Sequence, residues 1–280
     1  MIASGSADSV VRIWTLKSLL DRDEDEDYQE QPHLLLEEHK DQVSAVDFSQ
    51  DGVFLASASW DTTVRVWKVH QETDASPWTC DCVAILPGHG DWVFSCCFPT
   101  KLPPRRAHNV GAGPLRRESV PRRHDTIATG CKNGSIRVWK RQRMSTSGLQ
   151  RCLKECQRDT KCPDYAWVCT KRFARSEGEE KGLHTAAQSV VLSSDARFIV
   201  SSFKTGVRVL GIDREYVQLL QGHEERVMAV SVDGDGSVMA SSALDADVML
   251  WRVTSPGEDA AISLQNTLPQ LETVIPLVVD

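Results

Sequence analysis

The 280-residue sequence lacks several features that define other classes of protein. It contains no run of about 18 apolar residues, so no transmembrane helix is predicted. It has no excess of positive charge, because 39 Asp and Glu outnumber 32 Lys and Arg, and bulk binding to nucleic acid is therefore not expected. Residues 1–5 have neither the basic start nor the apolar block of a signal peptide.

Signs of a disulfide framework, a metal site or an enzyme are also missing. The nine cysteines are an odd set without regular spacing, which is typical of reduced thiols and predicts a cytoplasmic or nuclear protein. Four of them contain no Cys-x-x-Cys pair and fit core or helix-face positions better than zinc ligands: Cys152, Cys156, Cys162 and Cys169. No glycine-rich phosphate loop and no paired carboxylates stand out. We therefore expect no metal, no cofactor and no catalytic residue.

The sequence contains instead several copies of one short pattern. In the clearest copy, Phe54–Ser59 is small and apolar, Asp61 and Thr62 supply turn chemistry, and residues 64–67 alternate apolar with polar side chains. This pattern predicts two β-strands joined by a tight turn. Three further copies occupy residues 2–14, 127–139 and 239–251, and each ends in tryptophan. A two-strand unit cannot bury both faces alone, so the copies must pack on one another.

A longer unit surrounds this pattern. Residues 42–48 form another apolar run, which is followed by a turn at Asp51 and Gly52. A leucine and a histidine precede the first valine of such a run by seven and four residues in three places: Leu36/His39/Val43, Leu86/His89/Val93 and Leu220/His223/Val227. The whole order resembles the WD40-repeat family, whose repeats of about 40–45 residues form the four-stranded blades of a β-propeller.

The resemblance implies an all-β fold, with one WD40 β-propeller domain over residues 1–280. About five blades are readable, at residues 1–38, 43–86, 93–182, 183–220 and 227–268. The first of them lacks its first strand, which the resemblance predicts near the C-terminus, within residues 268–280. In that arrangement the two ends of the chain share one blade and hide two strand edges. The alternative is a partial ring that belongs to a longer array.

Two insertions interrupt the third blade. The first, at residues 99–125, is basic and poor in apolar residues, so we expect it to be disordered. The second, at residues 140–182, is expected to be partly helical, because Leu149, Cys152, Leu153 and Cys156 have helical spacing. Residues 165–173 are the best candidate for the fourth strand of that blade.

In WD40 proteins a buried hydrogen-bond relay connects the His that precedes a blade, a Ser or Thr, the turn Asp and the Trp. By resemblance the relay residues are His39, Ser57, Asp61 and Trp67; His223, Ser241, Asp245 and Trp251; and His89, Thr129 and Trp139, where Asn133 replaces Asp. Ser, His and Asp also form hydrolase triads. A catalytic triad occurs once, however, whereas this set recurs from blade to blade, so we interpret it as structural.

The residues that vary within this constant frame are the candidates for recognition. They stand at the turn after the second strand or just before the first strand, on what the family resemblance makes the top rim: Trp60, Lys132, Lys204, Gln42, Trp92 and Arg226. Large aromatic residues beside Arg and Lys are typical of interface hot spots. The alternative is that one tryptophan packs against the loop of a neighbouring blade.

The sequence thus predicts a non-catalytic WD40 scaffold that presents its top face to one or more protein partners in a multi-subunit assembly. The alternative is an RNA- or phosphate-binding subunit of a ribonucleoprotein that uses the basic insert. That insert contains no aromatic residue to stack on a base, so nucleic acid is not the expected partner. The oligomeric state does not follow from these patterns.

Overall fold

A computed structural model describes residues 1–15, 32–71, 77–99, 125–143, 165–174, 186–213, 217–234, 236, 238–254 and 263–265. These residues form 19 β-strands in five sheets, which we call blades 1 to 5 in chain order. All neighbouring strands within a blade run antiparallel, and the predicted all-β fold is confirmed. Within a complete blade we call the strands a, b, c and d in chain order.

Blades 1 and 2 contain the first seven strands. Blade 1 consists of β1 (Ile2–Gly5), β2 (Val11–Trp14) and β3 (Leu34–Leu36), which correspond to strands b, c and d. The stretch predicted to supply its strand a, residues 268–280, lies outside the described residues. Blade 2 is complete and consists of β4 (Val43–Phe48), β5 (Phe54–Ser59), β6 (Val64–His70) and β7 (Thr79–Leu86).

Blades 3, 4 and 5 each contain four strands in the same order. Blade 3 consists of β8 (Val93–Cys97), β9 (Thr126–Cys131), β10 (Ile136–Arg143) and β11 (Tyr165–Phe173). Blade 4 consists of β12 (Val190–Leu192), β13 (Phe198–Phe203), β14 (Gly206–Gly211) and β15 (Val217–Gln221). Blade 5 consists of β16 (Val227–Val232), β17 (Val238–Ala243), β18 (Val248–Thr254) and β19 (Ser263–Gln265).

The fourth strand of blade 3 lies where the sequence predicts it, since β11 covers residues 165–173. The helix predicted around residues 149–156 and residues 100–124 of the basic insert lie outside the described residues. Both insertions therefore stay predictions.

The turns between strands b and c repeat one geometry. In blade 2, Thr62 has a left-handed backbone (φ 70°), and Asp61 Oδ1 accepts a hydrogen bond from the backbone N–H of Thr63 at 2.9 Å. The same contact, from a backbone N–H to an Asp or Asn two residues earlier, recurs in blades 1, 3 and 5 at Asp8, Asn133 and Asp245. A side-chain oxygen that accepts such a bond stabilises the tight turn locally. The Asp or Asn side chain thus stabilises the b–c turn in which it lies.

Consecutive blades pack face to face. The side of blade 2 that carries Val64 and Val66 packs against Ile127 and Trp139 of blade 3, and we call it the forward face. The opposite side, which carries Leu55 and Trp67, packs against blade 1 and is called the rear face. The same pairing of a forward face with the next rear face joins blade 3 to blade 4 and blade 4 to blade 5. The core is therefore a series of equivalent interfaces between blades.

The inner strands border a common central space. A cavity of about 540 Å³ is lined by strand-a residues of blades 2 to 5, among them Val46, Phe48, Cys97, Val190 and Ser231. Asp47 bridges two of these strands, because its Oδ2 accepts a hydrogen bond of 2.7 Å from the backbone N–H of Phe98. In blades 2 to 5, strand a therefore lies next to the central cavity, and strand d lies farthest from it.

Candidate functional site

The predicted relay of blade 2 is assembled in the structure. Trp67 Nε1 donates a hydrogen bond of 2.8 Å to Ser57 Oγ, which lies 2.7 Å from His39 Nε2. His39 Nδ1 lies 2.8 Å from Asp61 Oδ2. His39 and Ser57 are buried, so each polar atom of this chain of bonds finds its partner within the protein.

The surroundings of the blade 2 relay set its charges. Burial lowers the pKa of His39, which keeps the imidazole neutral at physiological pH. Burial acts to raise the pKa of Asp61, but hydrogen bonds from Thr63, His39 and Lys40 outweigh it and lower the pKa to about 2. The neutral ring therefore donates a hydrogen bond from Nδ1 to the ionised carboxylate of Asp61 and accepts one at Nε2 from the hydroxyl of Ser57.

Blade 5 repeats this arrangement. His223 Nδ1 lies 3.0 Å from Asp245 Oδ2, and His223 Nε2 lies 2.8 Å from Ser241 Oγ. Trp251 Nε1 donates to the same hydroxyl at 2.9 Å. Burial acts to raise the pKa of Asp245, yet bonds from the backbone of Asp247 and Glu224 and from His223 lower it.

The relay of blade 3 is incomplete. His89 Nε2 lies 2.9 Å from Thr129 Oγ1, and Trp139 Nε1 donates to that hydroxyl at 3.0 Å. Nδ1 of His89 is buried and has no hydrogen-bond partner among the residues that the structure describes. Burial, and then the positive charges of Arg137 and Arg172, lower the pKa of His89 to about 3. The Asp that closes the relay elsewhere is replaced here by Asn133, which retains only the turn contact.

The hydroxyl groups at the centre of these relays are enclosed by the protein. The hydroxyl oxygens of Ser57 and Thr129 already accept an indole N–H, and both residues are fully buried (0% exposed). A nucleophile needs access to substrate, and buried hydroxyls such as these have none. Each relay instead connects the loop before strand a to strands b and c of one blade.

The rim residues lie at the same end of the blades as the relay loops. Trp60 of blade 2 stacks on Trp92, which begins blade 3, with ring centroids 4.1 Å apart and planes 2° from parallel. Lys132 Nζ lies 3.6 Å from the centroid of the Trp92 ring, a cation–π contact. The structure thus brings three of the six predicted recognition residues together across the boundary between two blades. We call these three side chains the rim cluster.

Backbone hydrogen bonds hold the rim cluster in place. The backbone N–H of Trp60 donates to the carbonyl of Gln42 at 2.9 Å, and that of Lys132 donates to the carbonyl of Trp92 at 2.8 Å. Each b–c turn is therefore tied to the residue that enters strand a of the same blade. Trp60, Trp92, Lys132 and Gln42 are all partly buried. The two tryptophans pack on each other and still expose part of their surface.

The other two predicted rim residues make their described contacts elsewhere. Lys204 is exposed in the two-residue turn of blade 4, with a left-handed backbone (φ 50°) and its Nζ 5.4 Å from the Phe203 ring. Arg226 of blade 5 is partly buried and places Nη2 3.3 Å from Met228 Sδ. The backbone carbonyl of Lys204 accepts from Val227 at 2.9 Å, which ties blade 4 to blade 5.

One residue of this region escaped the sequence reasoning. The ring of Phe94 is 6.2 Å from that of Trp60 and meets it edge-on at 67°. Phe94 is buried and packs against Trp60, one ring of the stacked pair. The signal was present in the sequence, since residues 92 and 94 share one face of an extended strand.

Comparison with known proteins agrees with these repeats. The family model described as WD domain, G-beta repeat, matches residues 30–68 and 214–252. These two stretches contain the two complete relays, with His39 and Trp67 in one and His223 and Trp251 in the other. The match shows WD40 repeats at these two stretches and supports membership of the WD40-repeat family.

Curated WD40 relatives match the chain at low identity. The probable cytosolic iron-sulfur protein assembly protein 1 of Chaetomium globosum is 25% identical in an alignment of 256 positions, which covers 82% of this chain and 50% of that protein. Transducin beta-like protein 3 of Rattus norvegicus is 23% identical in an alignment of 314 positions, which covers 94% of this chain and 37% of that protein. WD repeat and SOCS box-containing protein 1 of Homo sapiens is 29% identical over 99 residues, which cover 35% of this chain and 19% of that protein. The chain thus spans half or less of the length of these relatives.

The described part of the chain lacks a membrane-spanning helix and a metal-binding cluster. No helix there has the length and hydrophobicity needed to cross a membrane. No group of three or more His, Cys, Asp or Glu side chains there has an arrangement that could hold a metal ion. The cysteines that the structure describes are free thiols, and burial raises the pKa of Cys80 to about 12 and that of Cys96 well above its usual value.

Proposed function

We propose that this WD40 protein is a non-catalytic scaffold that binds protein partners through the top face of its blades. The stacked pair of Trp60 and Trp92, partly exposed beside Lys132, is the observation that carries the proposal. Tryptophan, tyrosine and arginine dominate the binding energy of many protein interfaces. Gln42, Lys204 and Arg226 extend this surface around the rim.

The support beneath the rim cluster favours recognition. Trp60 directly precedes Asp61, whose side chain both forms the turn contact and receives the histidine of the relay. The rim loops are thereby fixed before a partner arrives, so less conformational entropy is lost on binding. A stiff set of such loops suits a scaffold whose partners meet a ready-made surface.

The names of the relatives agree with a role in assemblies. One relative is named as a cytosolic iron-sulfur protein assembly protein, and another as a SOCS box-containing protein with WD repeats. We extend to this chain only the general role, which is to bring proteins together. We place that role in the cytoplasm or the nucleus.

The experiment is affinity purification of the tagged chain, followed by mass spectrometry. The Trp60→Ala and Trp92→Ala variants are compared with the unchanged protein and with Ile85→Ala, an exposed apolar residue on the outer strand of blade 2. We expect both tryptophan variants to lose the same partners, which Ile85→Ala retains. Binding that survives both tryptophan variants and collapses as salt rises would favour the RNA or phosphate alternative and overturn the proposal.

A further inference from the structure

The two end blades leave apolar faces uncovered. In blades 1 to 4 the two strand-c residues of the forward face are at most 1% exposed, as for Val64 and Val66. The matching residues of blade 5 are Val248 and Leu250, which are 66% and 37% exposed. The forward face of blade 5 is therefore built like the others, but no blade among the described residues packs on it.

In blade 1 the exposed side is the rear face. The first apolar residue of strand b on the rear face is at most 1% exposed in blades 2 to 5, as for Leu55 and Met239. The matching residue of blade 1, Ile2, is 47% exposed. Trp14 is also only partly buried, whereas Trp67 at the same position of blade 2 is 1% exposed.

These two faces have complementary chemistry. Everywhere else in the molecule, a forward face with two β-branched or aliphatic residues is covered by a rear face with an aliphatic residue and, in most blades, a tryptophan. Val248 and Leu250 form a surface of the first kind, and Ile2 and Trp14 one of the second kind. The strand-b and strand-c residues of both sides of one more such interface are therefore present on a single chain, and they are partly or largely exposed.

We propose that the forward face of blade 5 docks onto the rear face of blade 1 of a second copy of this chain. The contact continues the series of four interfaces between blades that the structure already contains. It is heterologous, because two different faces meet, so each copy keeps one face of each kind available to another copy. Burial of these apolar side chains supplies the driving force.

The test is the mass of the purified full chain by sedimentation or light scattering over about two decades of concentration. A single chain has a mass of 31.1 kDa, and we expect the average mass to rise above this value with concentration. Val248→Glu and Ile2→Glu each place a charge in the interface and are expected to keep the mass at that of one chain. Val217→Glu is the matched control, because Val217 is 67% exposed on the outer strand of blade 4, away from both faces.

A mixture of the two interface variants tests the head-to-tail geometry. The Val248→Glu chain retains an intact rear face on blade 1, and the Ile2→Glu chain retains an intact forward face on blade 5. An equimolar mixture is therefore expected to form a 1:1 complex that grows no further. A wild-type chain that stays monomeric throughout overturns the proposal, whether its own C-terminal residues or another protein cover the faces. The proposal is also overturned if Val248→Glu prevents self-association but Ile2→Glu does not. It is overturned as well if the control Val217→Glu prevents self-association to the same extent.

Discussion

His89 and Asn133 occupy the positions of a relay histidine and its turn aspartate, yet Nδ1 of His89 is left without a partner among the described residues. In blade 2, Asp61 uses one oxygen for the turn and the other for His39. Asn133 has a single oxygen, which it gives to the backbone N–H of Ser135. Its amide nitrogen can only donate, so it cannot accept from the imidazole. Aspartate therefore accepts hydrogen bonds from both the turn and the histidine, whereas asparagine accepts only the one from the turn.

Asn133→Asp is expected to complete the relay of blade 3 and to stabilise the protein. A hydrogen bond to a charged group is worth about 1.5–3 kcal/mol, and the new pair also satisfies a buried ring nitrogen. The free energy of unfolding, measured by urea titration, should therefore increase. An unchanged or lower value would show that His89 does not need an acceptor at this position.

Asp61→Asn is the reciprocal change and should destabilise blade 2. The turn contact to Thr63 is retained, while His39 loses its charged partner and becomes like His89. A loss of about 1–3 kcal/mol in the free energy of unfolding is expected for a buried donor left unpaired. If Asp61→Asn proves neutral, the carboxylate serves the turn alone.

The buried histidines make stability depend on pH. The pKa of His89 is about 3 in the folded chain, against about 6.5 for an exposed histidine, so between these values only the unfolded chain binds the proton. Stability is therefore complete above about pH 6.5 and is lost as the pH falls towards 3, by at most about 1.4 kcal/mol per pH unit. His39, whose pKa is also lowered by burial, acts in the same direction.

Urea titrations between about pH 7 and pH 5 check this dependence. His89→Gln retains a polar contact for Thr129 without a titrating ring, so its stability should fall less over this range. Asp61 does not affect this measurement. Because its pKa is about 2 in the folded chain, the stability that it contributes is lost only below about pH 4. If the stability of the His89→Gln variant and that of the unchanged chain depend equally on pH, His89 is not the source of the pH dependence.

Ser57→Ala removes the hydroxyl that two buried groups share. His39 Nε2 and Trp67 Nε1 both lose their partner at a site with no exposed surface. A loss of about 1–3 kcal/mol per unpaired group is expected in the free energy of unfolding. Thr205→Ala, an exposed hydroxyl in the turn of blade 4, is the control and should leave stability nearly unchanged.

The tryptophans of the rim cluster should be energetically coupled. Stacked aromatic pairs contribute about 0.5–1.5 kcal/mol beyond the area that they bury, so Trp60→Ala and Trp92→Ala should be non-additive in a double-mutant cycle. The near-ultraviolet circular dichroism of the pair should also disappear in either single variant. Trp60→Ala and Ile85→Ala, which alter separate parts of blade 2, should be additive.

The repeating local pattern was sufficient to predict most strands, and the family resemblance predicted the relay. Alternation along Val64–His70 and the constant spacing from His39 to Trp67 reflect contacts within one blade, where neighbouring strands are close in sequence. Such contacts leave a local signal, because each strand must present alternate residues to the same neighbours. The roles of Ser57 and Asp61 followed from the resemblance to a repeat family, and the geometry then supplied their partners.

The sequence by itself determined which residues form each blade, while only the tertiary structure decided how one blade meets the next. The stack of Trp60 on Trp92 joins residues of different blades, and the exposure of Val248 and Ile2 depends on whether a neighbouring blade is present. Val248 has the same local pattern as the fully buried Val64, so no local feature distinguishes the two residues. Burial of this kind is a property of the assembled molecule, because it depends on atoms that are distant in the chain.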